Sequence, residues 1–187
     1  MKIGLAQKKD ALQIAKIHKQ EIKEGFLSSL PTIFLAKIYL AIIENDFCVV
    51  DKYGQDIAGF IAGTSDIKKL YSYFLKHYFF YSSLALLPKI LDIRKIIEDI
   101  FYPSKDSIKA ELLTIATKKD FQGRGIAKEM FDFFVLEMKK RRIKTFKVLV
   151  GEELRPAISF YEGRGFKFLK EEEVHKGQKS RVYIYEL

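Results

Sequence analysis

The chain has little cysteine, and that shortage limits its chemistry. Cys48 is the only cysteine among the 187 residues, which excludes an internal disulfide and any metal site built from several cysteines. It stands in the apolar stretch Phe-Cys-Val-Val, where a buried structural thiol is expected rather than a nucleophile. We therefore expect a protein of the reducing cytoplasm that holds no metal.

Proline is also scarce, and long apolar runs are missing. The sequence has four prolines and no repeated or low-complexity segment, so a globular fold is favoured over disorder. Uncharged stretches such as residues 78–88 are well short of the roughly 20 residues that span a bilayer. The first residues lack the apolar segment of a signal peptide. The length indicates a single domain over residues 1–187.

Acidic residues are fewer than basic residues. Lys and Arg number 33 against 24 Asp and Glu, which gives a formal net charge of +9 and favours an anionic ligand. The basic residues are scattered, apart from Lys139–Arg142 at the end of a predicted helix, where cations suit the helix dipole. Nucleic-acid-binding proteins gather basic and aromatic residues on one face. We therefore expect no nucleic-acid partner.

Apolar residues recur at helical and strand spacing in an alternating order. A short strand at 1–7 precedes two helices, with Asp10 and either Ser28 or Ser29 as candidate caps. The later elements are a hairpin at 46–66, a helical insert at 67–107, a strand at 110–117, a helix at 125–142, a strand at 145–150, a helix at 156–163 and a closing hairpin at 166–187. In the helix at 125–142, the residues expected to face the core are Ile126, Met130, Phe133, Phe134 and Met138. The predicted fold class is α/β (α+β), with a mixed, mostly antiparallel twisted sheet flanked by helices.

Two glycines separated by one residue stand where the strand at 110–117 gives way to a helix. Gly123 and Gly125 remove side chains at a helix N-terminus, whose unpaired N–H groups and positive dipole end favour an anion. The stretch has neither the three-glycine dinucleotide fingerprint nor the lysine and hydroxyl residue of a Walker loop. The loop is therefore a candidate site for a phosphate or pyrophosphate.

Residues Gln122–Ala127 read Q-x-x-G-x-A and resemble the acetyl-CoA-binding signature of the GNAT family of N-acetyltransferases, usually written Q/R-x-x-G-x-G/A. A second stretch, Arg155–Phe166, resembles the family's later motif, in which a helix carrying A-x-x-x-Y is followed by Gly-Phe entering a strand. The resemblance is specific from residue 111 to 168. It departs at Leu154, where the family often has asparagine, and in the length of the insert.

The resemblance implies a GNAT-like domain that binds acetyl-CoA as co-substrate. In the family, backbone amides of the signature loop hold the pyrophosphate, and the matching residues here are Gln122, Gly123, Arg124, Gly125, Ile126 and Ala127. The strand before the loop pairs with the pantetheine arm as if it were another strand. Ile115 and Thr117 are the matching backbone partners.

The resemblance also implies an N-acetyltransferase that moves the acetyl group directly to a primary amine. Tyr161 matches the family tyrosine that donates a proton to the departing thiolate. Glu111, eleven residues before Gln122, matches the position where some members carry a catalytic glutamate, and a general base helps because a free amine is mostly protonated at neutral pH.

The acceptor is left open as an amine of a small molecule or a peptide. In the family, the helix pair after the first strand often lines the acceptor pocket, which makes Glu24 and Phe26 the candidate contacts. The aromatic insert has several interpretations, namely core packing, a homodimer contact, a cover for a hydrophobic acceptor, or contact with a membrane surface. An alternative function is a non-catalytic acyl-CoA-binding protein that uses the insert for protein or membrane contact. Tyr161 and Glu111 favour the enzyme, since a binder needs neither.

Overall fold

Seven strands form one sheet in the part of the chain that the structure describes. This computed structural model describes residues 2–23, 25–83, 107–175 and 178–187. The strands are β1 (Lys2–Leu5), β2 (Phe47–Tyr53), β3 (Asp56–Thr64), β4 (Glu111–Thr117), β5 (Thr145–Gly151), β6 (Lys167–His175) and β7 (Gln178–Glu186). Their order in the sheet is β1, β2, β3, β4, β5, β7, β6. Neighbours are antiparallel except β4 and β5, which are parallel. The predicted mixed, mostly antiparallel sheet is confirmed.

Helices cover both faces of this sheet. They are α1 (Ala11–Glu21), α2 (Phe26–Ser29), α3 (Thr32–Asn45), α4 (Ile67–Ser83), α5 (Ile126–Lys140) and α6 (Arg155–Gly163). The first core contains α1, α3 and α4, and the second contains α5 and α6. The start of the predicted helical insert is confirmed as α4, whereas the breaks expected near Pro88 and Pro103 lie outside the described residues. Among the helices described, none is both long enough and apolar enough to cross a bilayer.

The predicted helix caps are wrong. Asp10 already has helical dihedral angles of φ −80° and ψ −17°, whereas a capping residue needs an extended backbone. Its carboxylate instead accepts hydrogen bonds from the Gln7 N–H and the Lys52 ammonium, each at 2.7 Å. The two candidate serines lie inside α2, and α3 begins after Pro31 with no side-chain cap.

The buried face of α5 differs from the predicted one at a single aromatic residue. Ile126, Met130, Phe134 and Met138 are buried as expected, but Phe131 takes the place predicted for Phe133. The Phe131 ring packs among aromatic rings of α6, β7 and the residue before β6, which are Phe160, Tyr185 and Phe166. Phe133 is half-buried beneath the Lys140 ammonium. Helical periodicity alone does not reveal this distant aromatic cluster.

Strand β4 carries an extra residue near its middle. Ala62 of β3 faces Thr114, and the next residue, Gly63, faces Leu112, so Leu113 has no counterpart. A bulge of this kind bends the strand and changes which backbone groups face each side. The bulge precedes Ile115 and Thr117, the two residues predicted to pair with a cofactor.

Candidate functional site

The parallel strands β4 and β5 separate shortly after they meet. Their register contains one pair, Glu111 opposite Lys147, next to a hydrogen bond from the Lys147 N–H to the Ala110 carbonyl of 3.1 Å. Beyond that pair, each strand continues on its outer side, β4 with β3 and β5 with β7. The edges of β4 and β5 that face each other therefore bound a gap inside the sheet, where unpaired backbone groups offer hydrogen bonds to an extended ligand.

The signature loop closes the carboxyl end of this gap. The Gln122 side-chain amide donates to the Thr117 carbonyl at 2.9 Å, and the Lys118 N–H donates to the Ala58 carbonyl of β3 at 2.8 Å. These bonds hold the loop against the end of β4. Gln122 was predicted for its backbone amide, and its side chain also helps to position the loop.

The two loop glycines have backbones that other residues rarely adopt. Gly123 has φ 75° and Gly125 has φ 79°, and a Cβ atom at either position would meet nothing within 4 Å. The φ values explain why glycine is favoured, and the open space shows that no packed neighbour forbids a side chain. Gly125 caps α5, whose first N–H groups lack intrahelical acceptors. The space beside the glycines is therefore open to an anion at a helix N-terminus.

A cavity of about 510 Å³ lies between the gap, the loop and α6. Its walls come from the end of β4, the signature loop, the first turn of α5 and the cavity face of α6. The lining residues are Ile115, Ala116, Thr117, Phe121, Gln122, Gly123, Gly125, Ile126, Ala127, Lys128, Pro156, Ala157, Phe160 and Tyr161. The structure thus brings most of the predicted cofactor-binding residues together with the predicted catalytic tyrosine.

The cavity wall includes the polar side chain of Thr117. Thr117 is 9% exposed, and its hydroxyl has no hydrogen-bond partner among the described residues. A buried hydroxyl without a partner is uncommon in folded proteins and is often explained by an absent ligand or water. Thr117 was predicted for its backbone, and its side chain is an additional polar group in the cavity wall.

Tyr161 is 5% exposed and lines the cavity from α6. It packs against Phe160 and Phe166, with ring centroids 5.6 and 5.2 Å away. Burial raises the pKa of Tyr161 well above its usual value. The phenol is therefore protonated at neutral pH and can donate a hydrogen bond.

Glu111 lies apart from the cavity walls. It opens β4, four residues before Ile115, or about 13 Å along an extended strand. It is half-buried and pairs with Thr64 on one side and Lys147 on the other. The Lys147 side chain is fully buried. A carboxylate at this distance can act on the cavity only through intervening water, so the catalytic role of Glu111 stays a prediction.

Arg124 is the one predicted loop residue that does not line the cavity. It is exposed, and its guanidinium lies 5.3 Å from the centre of the Phe121 ring. That ring lines the cavity and also faces Tyr53 at 6.2 Å. Phe121 and Lys128 were missed by the sequence analysis, although both flank the signature directly. Their nearness to the motif was the only available signal.

The amino-terminal helices approach the same end of the sheet. The Glu21 carboxylate, in the last residue of α1, accepts a hydrogen bond from the Lys119 N–H at 3.2 Å, and Lys119 follows β4 after one residue. Of the two predicted acceptor contacts, Glu24 lies outside the described residues and Phe26 begins α2. Their role in acceptor binding is still a prediction.

Metal ligation has no support in the part of the chain that the structure covers. No group of three or more His, Cys, Asp or Glu side chains is suited to hold a metal ion there. The Cys48 thiol is buried, as predicted, and burial raises its pKa. A thiol in that state is a poor nucleophile.

The split sheet, the glycine loop at a helix N-terminus and the buried tyrosine are typical of acyltransferases that use acetyl-CoA. The family model described as the acetyltransferase (GNAT) family matches residues 12–166. The chain belongs to this family and is an acetyltransferase. The resemblance stated from the sequence is confirmed. No curated protein sequence matches the chain significantly.

Solved structures support the fold over the whole chain. Ard1 from Thermoplasma volcanium is 13% identical with a TM-score of 0.66, covering 100% of this chain and 97% of that one. The ribosomal-protein-S18-alanine N-acetyltransferase from Escherichia coli is 14% identical with a TM-score of 0.63, covering 99% and 92%. The structure of yncA from Salmonella typhimurium with its cofactor acetyl-CoA is 11% identical with a TM-score of 0.64, covering 99% and 92%.

Proposed function

We propose that the protein transfers the acetyl group of acetyl-CoA directly to a primary amine of a small molecule or a peptide. The observation that carries this proposal is the cavity, which unites Ile115, Thr117, the signature loop and Tyr161 in one site. The successive parts of acetyl-CoA would lie in order along the cavity. The pyrophosphate would meet the glycines and the α5 N-terminus, and the pantetheine arm would lie along the open edge of β4.

The residues present fit this ligand. The open space at Gly123 and Gly125 admits an anion, and the unpartnered Thr117 hydroxyl offers a hydrogen bond within the cavity. The remaining walls include the apolar side chains of Ile115, Ala157 and Phe160, which suit an uncharged arm. Lys128, an exposed residue of the cavity lining, adds a positive charge in the first turn of α5.

In the reaction, a C–N bond forms to the acetyl carbon and the C–S bond to CoA breaks. The attacking amine loses a proton, and the departing thiolate receives one. Neutralising an amine of pKa near 10 at neutral pH costs on the order of 4 kcal/mol, which a base can offset. We assign that role to Glu111 through water and assign Tyr161 as the hydrogen-bond donor to the leaving sulfur. Glu111→Gln is then expected to remove the acidic limb of the pH–rate profile, and a retained limb would exclude Glu111 as the base.

The acceptor is an amine that enters beside the α1–α2 connection, where Glu24 and Phe26 are the proposed contacts. The Escherichia coli neighbour is a ribosomal-protein-S18-alanine N-acetyltransferase. A peptide with an N-terminal alanine therefore belongs in the screen, next to spermidine and glucosamine as small amines.

The decisive experiment is calorimetric titration of acetyl-CoA into the wild type, Gly125→Glu and Gly54→Glu. Gly125→Glu adds a side chain and a negative charge where the pyrophosphate would lie, so binding should weaken by about 100-fold or more. Gly54 is the matched control because it also has a positive φ, of 62°, and open space around its Cβ position. It lies in the β2–β3 turn, outside the cavity lining, so Gly54→Glu should bind as the wild type does.

Release of CoA in the presence of each amine then tests transfer. Turnover with at least one amine supports the proposal. Binding to the wild type without turnover would favour the non-catalytic acyl-CoA binder, and equal binding by Gly125→Glu would contradict the assigned cofactor site.

A further inference from the structure

A buried chain of hydrogen bonds runs across the first core. The His18 ring on α1 contacts the Tyr39 hydroxyl of α3 through Nδ1, at 2.5 Å, and the Ser28 hydroxyl of α2 through Nε2, at 3.2 Å. The Ser28 hydroxyl donates to the carbonyl of Ile22 at 2.6 Å. His18 therefore joins α1, α3 and the connection between α1 and α2 at one point.

The direction of these bonds follows from the number of protons available. Ser28 has one hydroxyl proton, which it donates to Ile22, so it accepts from the Nε2–H of His18. In a neutral ring Nδ1 then carries no proton and accepts from the Tyr39 hydroxyl. His18 is 3% exposed. Burial, with a smaller effect of the Lys19 charge, lowers its pKa to about 4, so the neutral ring is the form at neutral pH.

The other end of the hydrogen-bond chain packs on the sheet beside the cavity. The Tyr39 ring meets the Phe60 ring of β3 edge to face, with centroids 5.2 Å apart. Phe60 pairs with Ala116 of β4, which lines the cavity. The hydrogen-bond chain therefore runs from the sheet beside the strand proposed to receive the thioester to the connection that holds Ser28.

The acceptor proposed above enters from the face of the gap opposite the cavity. The described cavity walls come from β4, the signature loop, α5 and α6, so a bound pantetheine arm would occupy that face. The proposed acceptor contacts, in the α1–α2 connection, belong to the other face, on which α1 and α3 pack. The contact between Glu21 and Lys119 places the end of α1 at this edge of the sheet, and Lys19 fixes the far side of the connection by donating to the Leu30 carbonyl at 2.7 Å.

The hydrogen-bond chain does not conduct protons out of the site, because it ends on the Ile22 carbonyl, which accepts a hydrogen bond but has no proton to donate. Its role is therefore structural. We propose that His18 is a positioning residue for the acceptor, which holds the α1–α2 connection through Ser28 in the place that an entering amine contacts. This inference rests on the proposed function, since it concerns the acceptor of the same reaction.

Kinetics with matched serine variants test the proposal. Ser28→Ala removes the bond to Ile22, and Ser28→Thr keeps a hydroxyl. Ser72→Ala makes the same change at an exposed serine of α4, whose hydroxyl donates to the Lys68 carbonyl at 3.0 Å. With acetyl-CoA and the panel of spermidine, glucosamine and the N-terminal alanine peptide, Ser28→Ala should raise the KM for the amine that reacts by about fivefold or more. The KM for acetyl-CoA should stay within about twofold, and Ser28→Thr should restore the amine KM. Unchanged amine KM, or an equal rise for acetyl-CoA, would overturn the proposal.

A second arm separates this inference from the proposed function. Backbone amide hydrogen exchange at residues 22–30 should be about tenfold faster in Ser28→Ala than in Ser72→Ala, with α5 unaffected. If none of the three amines reacts, the proposed function fails and the exchange result alone decides on His18. Equal exchange in the two variants would then show that His18 holds no part of the connection.

His18 itself allows a finer test, since two substitutions keep different hydrogen bonds of the His18 ring. His18→Gln retains a donor near the Nε2 position for Ser28, and His18→Asn retains an acceptor near the Nδ1 position for Tyr39. We expect the larger rise in amine KM for His18→Asn, because it releases the connection. The reverse order would overturn the role assigned to Ser28.

Discussion

Tyr161 combines two properties that a hydrogen-bond donor to a leaving sulfur needs. It lines the cavity, and its burial among aromatic rings keeps the phenol protonated. Its hydroxyl is a small part of the cavity surface, so binding of acetyl-CoA does not depend on it. The effect of removing that hydroxyl should therefore fall on the chemical step.

We expect Tyr161→Phe to lower turnover by about tenfold or more, or at least about 1.4 kcal/mol of barrier, with the dissociation constant for acetyl-CoA unchanged. Steady-state kinetics and calorimetry measure the two quantities. Tyr183→Phe is the control, because Tyr183 is also buried but is not among the residues that line the cavity. Its hydroxyl donates a hydrogen bond of 2.9 Å to the Glu162 carboxylate. That variant should lose about 1 kcal/mol of stability and keep its turnover. Equal turnover in wild type and Tyr161→Phe would remove the residue from the chemistry.

His18 predicts how stability depends on pH. Its folded pKa is about 4, against 6.5 for an ordinary histidine. As the pH falls below 6.5 the unfolded chain binds a proton at this site and the folded protein does not, so unfolding becomes more favourable until the pH reaches about 4. The contribution of His18 is complete above the unfolded pKa and amounts to about 3 kcal/mol.

Urea unfolding at about pH 7.5 and about pH 4.5 measures this effect. Other groups titrate in the same range, so the comparison is with His18→Gln, which has no proton to bind at this position. The wild type should lose more stability on acidification than the variant. Identical losses would show that His18 is not held neutral by the fold.

At the scale of elements, β3 lies close against its neighbours at its glycines. A Cβ atom at Gly59 would come within 2.8 Å of both the Ala116 carbonyl oxygen and the Met130 Cε. The first neighbour is backbone of β4, and the second is a flexible side chain of α5. Only the methionine can move easily, so the strain of a larger residue would fall on the β4 segment that lines the cavity.

Gly59→Ala is expected to destabilise the protein by about 1–3 kcal/mol through overpacking and to weaken acetyl-CoA binding. Gly4→Ala on β1 is the control, since its Cβ atom would meet nothing within 4 Å, and its effect should stay within about 0.5 kcal/mol. Urea unfolding of both variants gives the comparison. A neutral result at Gly59 would mean that β4 shifts at no cost.

Most elements were predictable because each depends on local spacing. The signature loop and α6 were recognisable from short motifs, which brought Gln122, Gly125 and Tyr161 into one hypothesis. The gap between β4 and β5, the bulge at Leu113 and the burial of Phe131 were not, because each depends on contacts between segments distant in sequence. The His18 chain was missed for the same reason. A lone histidine on an amphipathic helix shows no partner until Tyr39 and Ser28 are brought to it.

For the whole molecule, the net charge of +9 acts on any anionic ligand. Charges separated by more than a Debye length are screened, and that length falls from about 10 Å at 0.1 M salt to about 3 Å at 1 M. The scattered lysines and arginines should therefore attract acetyl-CoA at low salt and contribute little at high salt.

We expect the affinity for CoA to fall by about three- to tenfold between about 0.05 and about 0.5 M salt. Calorimetry with pantetheine, which lacks the phosphates, supplies the control and should show little change. An affinity for CoA that is independent of salt would mean that the backbone dipoles of the loop hold the phosphates without help from the surface charge.

The gap between β4 and β5 also bears on how such a protein changes over evolutionary time. Its walls are largely main chain, and its opening depends on where two strands stop being neighbours, so no single codon specifies it. Substitutions of side chains that leave this strand order intact therefore need not close the gap. A solved structure of the same fold is 11% identical to this chain and superimposes on it with a TM-score of 0.64. What two such sequences share is an arrangement of strands, which many different combinations of residues can produce.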